Sequence, residues 1–294
     1  MKMQIKYKML APVSHIGETA SSGSYFQTIL TSDGRVPVIT GNSIRGQIRD
    51  SIALHLLDLL DARVSKDTFN ILFSGGNLNG TMKDDVEKAK GVRAHFPSVS
   101  LLGGGLGDMI MSGKLIVSFA YPVCMETEDI TGVPSMLSWH NLIDEIEFSR
   151  MDDGKKDTLV DYMTDADAEK TAKASTQMRF SVQYMAAGTE FVQNFLFLPG
   201  TTELELGAFY SGVAKWFETP RLGGMSAKGF GLFDAELDDA ISVKGGVVTI
   251  SDTARAYISK YEEFVRNEGT QYFDLFDTSA KKGKKNGKES DNPD

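Results

Sequence analysis

The sequence predicts a mixed α+β fold, and three observations carry that prediction. Residues 3–10 (MQIKYKML) alternate Met3, Ile5, Tyr7 and Met9 with Gln4, Lys6 and Lys8, the period of two that marks a strand with one buried face. Ile44, Ile48, Ile52, Leu56 and Leu59 recur at helical spacing, with Ala53 and Leu60 widening the stripe, which predicts a helix over about 43–62. Residues 177–198 return to alternation on both sides of Gly188-Thr189 and read as a hairpin.

The other elements follow in order. Residues 11–25 (APVSHIGETASSGSY) are rich in Gly and Ser and read as a loop. Asp33-Gly34 signals a turn, and VPVI (36–39) is a short strand entry. Asn42 or Ser43 is the expected N-cap of the first helix. SGGNLNGT (74–81) reads as a loop, MKDDVEKAKGVR as a short helix, and 114–121 as a strand after a glycine-rich loop. The stretch 149–176 is polar with almost no core pattern and reads as a protruding insertion. Leu206, Phe209, Val213, Trp216 and Phe217 give a helix over 205–218, a Gly-rich loop then leads into a strand, and a last helix lies near 252–266. The expected organisation is one domain over 1–277, with a disordered, Lys-rich tail over 278–294.

Composition narrows the classes. At 294 residues, with 41% hydrophobic and 24% charged residues, wholesale disorder and collagen-like repetition are excluded and a sizeable core is available. The single cysteine, Cys124, excludes a disulfide framework and a Cys-rich zinc site, and fits a reducing, cytoplasmic setting. The longest apolar run, Leu115 to Val123, contains Ser118 and Pro122 and is too short to span a membrane, so no membrane partner is expected. The 31 Lys+Arg against 40 Asp+Glu give a net charge of -9. Nucleic-acid binders are usually basic, so any such function must rest on local sites.

Three motifs could carry chemistry. GNSIRGQIR (41–49) ends a strand with glycine, caps a helix with small polar residues and places Arg45 and Arg49 four apart on one face. Such a terminus attracts anions, and arginine adds bidentate hydrogen bonds to phosphate; the spacing fits an ordinary capped helix with solvated arginines as well. RLGGMSAKGFG (221–231) offers Gly223, Gly224 and Gly229 for close backbone approach, with Arg221 and Lys228 as charges. Its Ala227-Lys228-Gly229 order rejects a nucleotide-binding P-loop. LLGGGLGD (101–108) fails as a dinucleotide fingerprint because its glycines are contiguous and a strand follows, so it reads as a turn. His15, His55, His95 and His140 lack metal-ligand spacing, and the acids at 152–169 lack the glycine of a calcium loop, so no cofactor or metal is expected.

The order of these features resembles the RAMP superfamily of CRISPR-associated proteins. A first strand ends in Pro12, Ile16 and Gly17, VPVITGNSIRGQIR forms a strand-to-helix junction, and LGGMSAKGFG precedes a late strand. The resemblance spans most of residues 1–237 and is closest in wording to the backbone subunit that coats guide RNA. It implies a ferredoxin-like (RRM-type) palm, a helical finger-like insertion over about 60–100 and a protruding thumb over about 149–178. It implies further that the protein binds crRNA without cleaving it. Copies of itself would stack along the guide beside other effector subunits, for pairing with target DNA or RNA. Arg45 and Arg49 match the junction's basic positions, with Asn42 and Ser43 beside them. Arg150, Lys155 and Lys156 are implied thumb contacts, Met178 the wedge at the RNA kink, and Arg221, Gly223, Gly224, Lys228 and Gly229 a second RNA-facing loop.

The departures from the pattern also carry information. Thr40 stands where a proline often precedes the junction glycine. The stretch ASSGSYFQT carries no acid where relatives that cut target RNA place an aspartate, so no backbone ribonuclease is expected. The wording GNSIRG and the MDD at the thumb entry resemble type IV systems first and type I-D second. A guide-processing endoribonuclease using His15, and an unrelated α+β assembly protein, stay open as alternatives.

Overall fold

Strand β1 (Lys2–Met9) keeps the alternation that its sequence predicts: in the computed structural model Met3, Ile5, Tyr7 and Met9 are buried, while Lys2, Lys6 and Lys8 face solvent. The structure describes residues 1–20, 23–76, 86–106, 109–150 and 178–268. After β1 come β2 (Ile16–Ala20), β3 (Gly23–Phe26), β4 (Thr28–Thr31) and β5 (Gly34–Pro37), then the long helix α1 (Gly41–Leu60). The short helices α2 (Lys66–Phe69), α3 (Val86–His95) and α4 (Pro97–Leu102) lead to β6 (Gly104–Leu106), β7 (Met109–Met111), β8 (Leu115–Val117) and β9 (Tyr121–Pro122). Then follow α5 (Glu128–Thr131), β10 (Ile143–Arg150), β11 (Met178–Met185), β12 (Glu190–Phe197) and α6 (Glu203–Glu218). The chain closes with β13 (Phe233–Leu237), β14 (Ile241–Lys244), β15 (Val247–Ile250) and α7 (Asp252–Glu268).

The main sheet runs β15-β14-β13-β1-β12-β8, with β9 also paired to β12. Within it, β1, α1, β8, β12, α6 and β13 form a β-α-β-β-α-β path whose strands lie in the spatial order fourth, first, third, second. That is the ferredoxin-like arrangement, and the palm follows from pairing alone. Helices α1 and α6 cover the face onto which Ile5, Tyr7, Phe195 and Phe233 point, and α7 packs in turn against α6 and α1. Tyr7 packs edge-on against Phe233 at 5.3 Å, Trp216 meets the same ring at 5.3 Å, and the buried Tyr7 hydroxyl donates to Gln193 Oε1 at 2.7 Å. Other elements are inserted into palm connections: β2–β5 before α1, the short helices and the β6–β7 hairpin after it, and the segment from β9 to β11 before β12, while β14, β15 and α7 follow the last palm strand, the two strands extending the sheet beside β13.

The expected hairpin over 177–198 is two strands in two different sheets. β11 pairs antiparallel with β10 and parallel with β3, in the sheet β10-β11-β3-β2, while β12 pairs with β1. The intervening turn is tied to the end of β1 instead of closing a hairpin: Gly188 N donates to Met9 O at 2.7 Å and Met9 N to Thr189 O at 2.9 Å. Phe191, Phe195 and Phe197 bury against the helices, so β12 gains more from the palm than from a solvent-exposed partner. Three other readings change. The 11–25 stretch contains β2 and β3, β10 arises in a stretch with no strand signal of its own, and the predicted strand over 114–121 is two short ones. The thumb stretch 151–177 and the tail 278–294 lie outside the described residues.

Candidate nucleic-acid interface

The N-cap of α1 is Thr40, two residues earlier than Asn42: its Oγ1 accepts from Ser43 N at 3.4 Å. A threonine therefore does the capping where the resembling family often has proline. Gly41 has a steric reason, since a Cβ there would lie 2.3 Å from Val117 O of β8. Thr40 is held in turn by His15, whose Nε2 accepts from Thr40 N at 3.2 Å with Thr40 Oγ1 3.1 Å away. This fixes the proton of the neutral ring on Nδ1. Burial pushes the imidazole below its ordinary value, which keeps Nε2 an acceptor.

The segment Pro12–His15 is a junction of backbones. Pro12 O accepts from Gly231 N at 2.7 Å, and Ser14 O from Gly224 N at 2.7 Å. Val13 bridges to Met185 of β11, and His15 reaches the α1 cap. One short stretch thus places the first turn of α1, the glycine-rich loop 221–231 and the base of β11 side by side. Asn42, Ser43, Gly223, Gly224, Lys228 and Gly229 are all exposed around it. Gly223 adopts φ +76, and a Cβ there would meet Ser14 O at 2.3 Å, so the approach of loop to junction requires glycine. Arg221 is half-buried and its carbonyl accepts from Trp216 Nε1 at 3.0 Å.

Arg45 and Arg49 project from α1 into one cleft of about 440 Å³, open to solvent. Arg45 Nη2 donates to Leu102 O; Arg49 Nη2 donates to Leu102 O at 3.3 Å and to Gly103 O at 3.0 Å. These carbonyls end α4, where helix carbonyls lack internal partners and carry partial negative charge. Burial and the neighbouring Arg45 pull Arg49 down to about 10, with Asp50 opposing, so both guanidiniums stay charged at neutral pH. Two like charges with only carbonyl acceptors make a strong attractor for an anion.

The cleft wall was missed in the sequence. The first part of LLGGGLGD forms it: Leu102, Gly103 and Gly104 line it with Ser74, Gly75 and Met111, and Gly105 N donates to Gly75 O at 2.6 Å. The run of glycines was the available signal. It was read as a turn because its partners lie near positions 45 and 75.

Arg150 and Met178 pair across the last rung of the β10–β11 ladder, at the point where the described chain leaves that sheet. Lys155 and Lys156 lie outside the described residues. Lys228, on the far side of the junction, sits 4.4 Å and 4.5 Å from the ring centroids of Phe148 and Phe180, two residues that sequence reasoning passed over. Among the described residues no group of His, Cys, Asp and Glu could hold a metal ion.

The profile of the RAMP superfamily matches residues 6–234, which takes in the junction, the cleft and the glycine-rich loop. The chain belongs to the RAMP superfamily. A chain of a solved "Type IV-B CRISPR Complex" superposes on this RAMP protein with a TM-score of 0.58 and 18% identity, covering 84% of this chain and 94% of that one. At that identity the likeness is one of fold, and it agrees with the ferredoxin-like palm read from strand order. No curated protein matches the sequence. Among the described residues no helix of this RAMP protein is long and apolar enough to cross a membrane.

Proposed function

We propose that this RAMP protein is a non-catalytic, crRNA-binding backbone subunit of a type IV CRISPR effector complex. Copies of it oligomerise along the guide spacer, beside other effector subunits in the cytoplasm, and present the guide for pairing with target DNA or RNA. The observation that carries the reading is the Arg45–Arg49 pair, two charged guanidiniums in an open, glycine-walled cleft beside the α1 terminus. Phosphodiester oxygens are the ligand that such a pair takes best, without reference to base sequence. The likeness to a chain of the Type IV-B complex supports the subtype. Asn42, Ser43 and the loop residues Arg221, Gly223, Gly224 and Gly229 line the path onward from the cleft, and Arg150, Lys155, Lys156 and Met178 belong to the thumb.

The geometry of His15 argues against the endoribonuclease alternative. A general base needs a free lone pair, and Nε2 already accepts from Thr40 N, so the ring acts as a brace for the α1 cap.

The test is light scattering after size exclusion, with the 260/280 nm ratio, on protein mixed with guide RNAs of two lengths. The mass steps up with RNA length. Arg45→Ala/Arg49→Ala lowers affinity, and the slope of log K against log salt falls by about 1.4, two phosphate contacts at about 0.7 each on a single strand. A nucleic-acid-free monomer at low salt, or unchanged RNA binding by a folded double variant, refutes the reading.

A further inference from the structure

The far end of the β10–β11 ladder, two rungs before Arg150–Met178, carries an aromatic cluster that the phosphate reading does not use. Phe148 and Phe180 are cross-strand partners whose rings stack at 5.4 Å and 25°. Phe230 leans on Phe148 at 6.5 Å and meets Tyr184 edge-on at 6.0 Å. Two features set this cluster apart from the palm's aromatics. Phe148 and Phe180 are only half-buried, whereas Phe191, Phe195, Phe209 and Phe233 are fully enclosed. The group that caps them is an ammonium: exposed Lys228 lies 4.4 Å and 4.5 Å from the two ring centroids. Among the described residues no carboxylate is within ion-pair distance of Lys228, and the two ring faces are the contacts its exposed ammonium makes there.

Lys228 ends a single 3-10 turn (Ser226–Lys228) between two left-handed residues, Met225 and Gly229. The turn is anchored through Gly224 and Gly231 to the Pro12–His15 junction. The ammonium is therefore held near the rings by a fixed backbone and a long, rotatable side chain. A cation over an aromatic face is a modest interaction at an exposed site, and an anion competes for it readily. A base stacked on an aromatic ring beside a basic side chain is the recurring unit of single-strand recognition.

We infer that Phe148, Phe180 and Lys228 form a nucleobase-stacking site for single-stranded RNA, closed by the ammonium when no RNA is bound. On binding, Lys228 moves from the rings to the phosphate of the incoming nucleotide, and the base takes its place on the exposed face of the Phe148–Phe180 pair. The site rests on the guide-RNA reading and adds to it the contact that holds a base, beyond the contacts that hold phosphates. Stacking is tolerant of base identity, so the site accepts any guide sequence.

The test uses the full chain and an RNA carrying 5-iodouridine at successive positions, photo-crosslinked and mapped by mass spectrometry. Adducts fall on Phe148 or Phe180. In binding titrations over a range of salt, Phe148→Leu/Phe180→Leu weakens affinity about tenfold at every salt concentration and leaves the slope unchanged, as loss of one stacked base requires. Lys228→Gln instead lowers the slope by about 0.7, the signature of one lost phosphate contact. RNA that binds and drives assembly, yet gives no adduct within 143–150 or 178–185, overturns the stacking site and leaves the guide-RNA reading standing. So does a double phenylalanine variant binding within about twofold of the wild type. A wild type that binds no RNA overturns both. The crosslink needs no substitution, so a variant that fails to fold does not remove the test.

Discussion

Replacing Glu205 tests how the palm holds the wall of the arginine cleft. Its side chain is almost fully enclosed and works in three directions. It accepts from the hydroxyl of buried Ser100 in α4, from Thr202 N at 2.8 Å, and from Lys114 Nζ at 2.8 Å. Thr202 Oγ1 returns the contact by accepting from Glu205 N at 3.2 Å, which completes a capping box at the start of α6. Glu205→Ala leaves a buried hydroxyl without its acceptor, at about 1–3 kcal/mol, and loses the reciprocal half of the cap, at about 1 kcal/mol. It also takes the carboxylate from the Lys114 ammonium, which keeps Gly200 O at 2.8 Å, and removal of one partner from a buried pair costs about 3–5 kcal/mol in total. The Lys114 side chain keeps 18% exposure and can turn to water, which places the sum at the lower end of that range. In a chain of this size each kcal/mol moves the melting temperature by about 2 °C, so the variant melts about 6–8 °C lower. Glu205→Gln retains an acceptor and loses about half as much. Calorimetry with urea titration as a second probe checks both. A Glu205→Ala protein within about 1 kcal/mol of the wild type would show that α4 is positioned by apolar packing alone.

Two further outcomes follow from the junction. Burial depresses His15, so the unfolded chain takes up its proton first as pH falls below 6.5. The His15 contribution to stability is therefore complete above that value and is lost progressively as the pH falls below it. His55 is also held down by burial, against Glu262, so the His15 share is the difference between the pH–stability curves of the wild type and His15→Gln; parallel curves would remove the His15–Thr40 brace. Gly223→Ala, forced into φ +76 with its Cβ 2.3 Å from Ser14 O, destabilises by more than about 1 kcal/mol and weakens RNA binding through the displaced loop, and an unchanged melting curve would contradict that packing.

Local pattern was enough for the elements that bury one face. The alternation of β1, the apolar stripe of α1 and the Phe209–Trp216 face of α6 each predicted its element, because one-sided burial imprints its period on the chain. Partners were a different matter. Nothing in QMRFSVQYM says that β11 pairs in parallel with β3 some 158 residues earlier (Ser181 with Gly23), and a short turn at Gly188-Thr189 made the local hairpin the obvious expectation. The cap was displaced to Thr40 because its second anchor, His15, is 25 residues away. In the candidate site, the arginines were visible as a spacing on one helix face. The carbonyls they grip and the glycines beside them were hidden, since backbone acceptors leave no residue-type signature. Phe180 was legible as a strand residue and Phe148 was not, and the ammonium that marks them both out arrives from position 228.

The central place of β1 bears on the order of events during synthesis. Its two neighbours are β12 and β13, and the registers Lys2 with Leu196 and Ile5 with Leu237 span 194 and 232 residues. Ile5, Tyr7 and Met9 therefore have no palm to enter until residues 190–237 have left the ribosome. At translation rates of about 5–20 residues per second the nascent strand waits roughly ten seconds or more with its apolar face uncovered. Three lysines on its opposite face, Lys2, Lys6 and Lys8, give that waiting segment a charge that resists edge-to-edge pairing with another nascent chain. The lysines whose role in the finished sheet is only to face water thus protect the chain at the stage when it is most prone to aggregate.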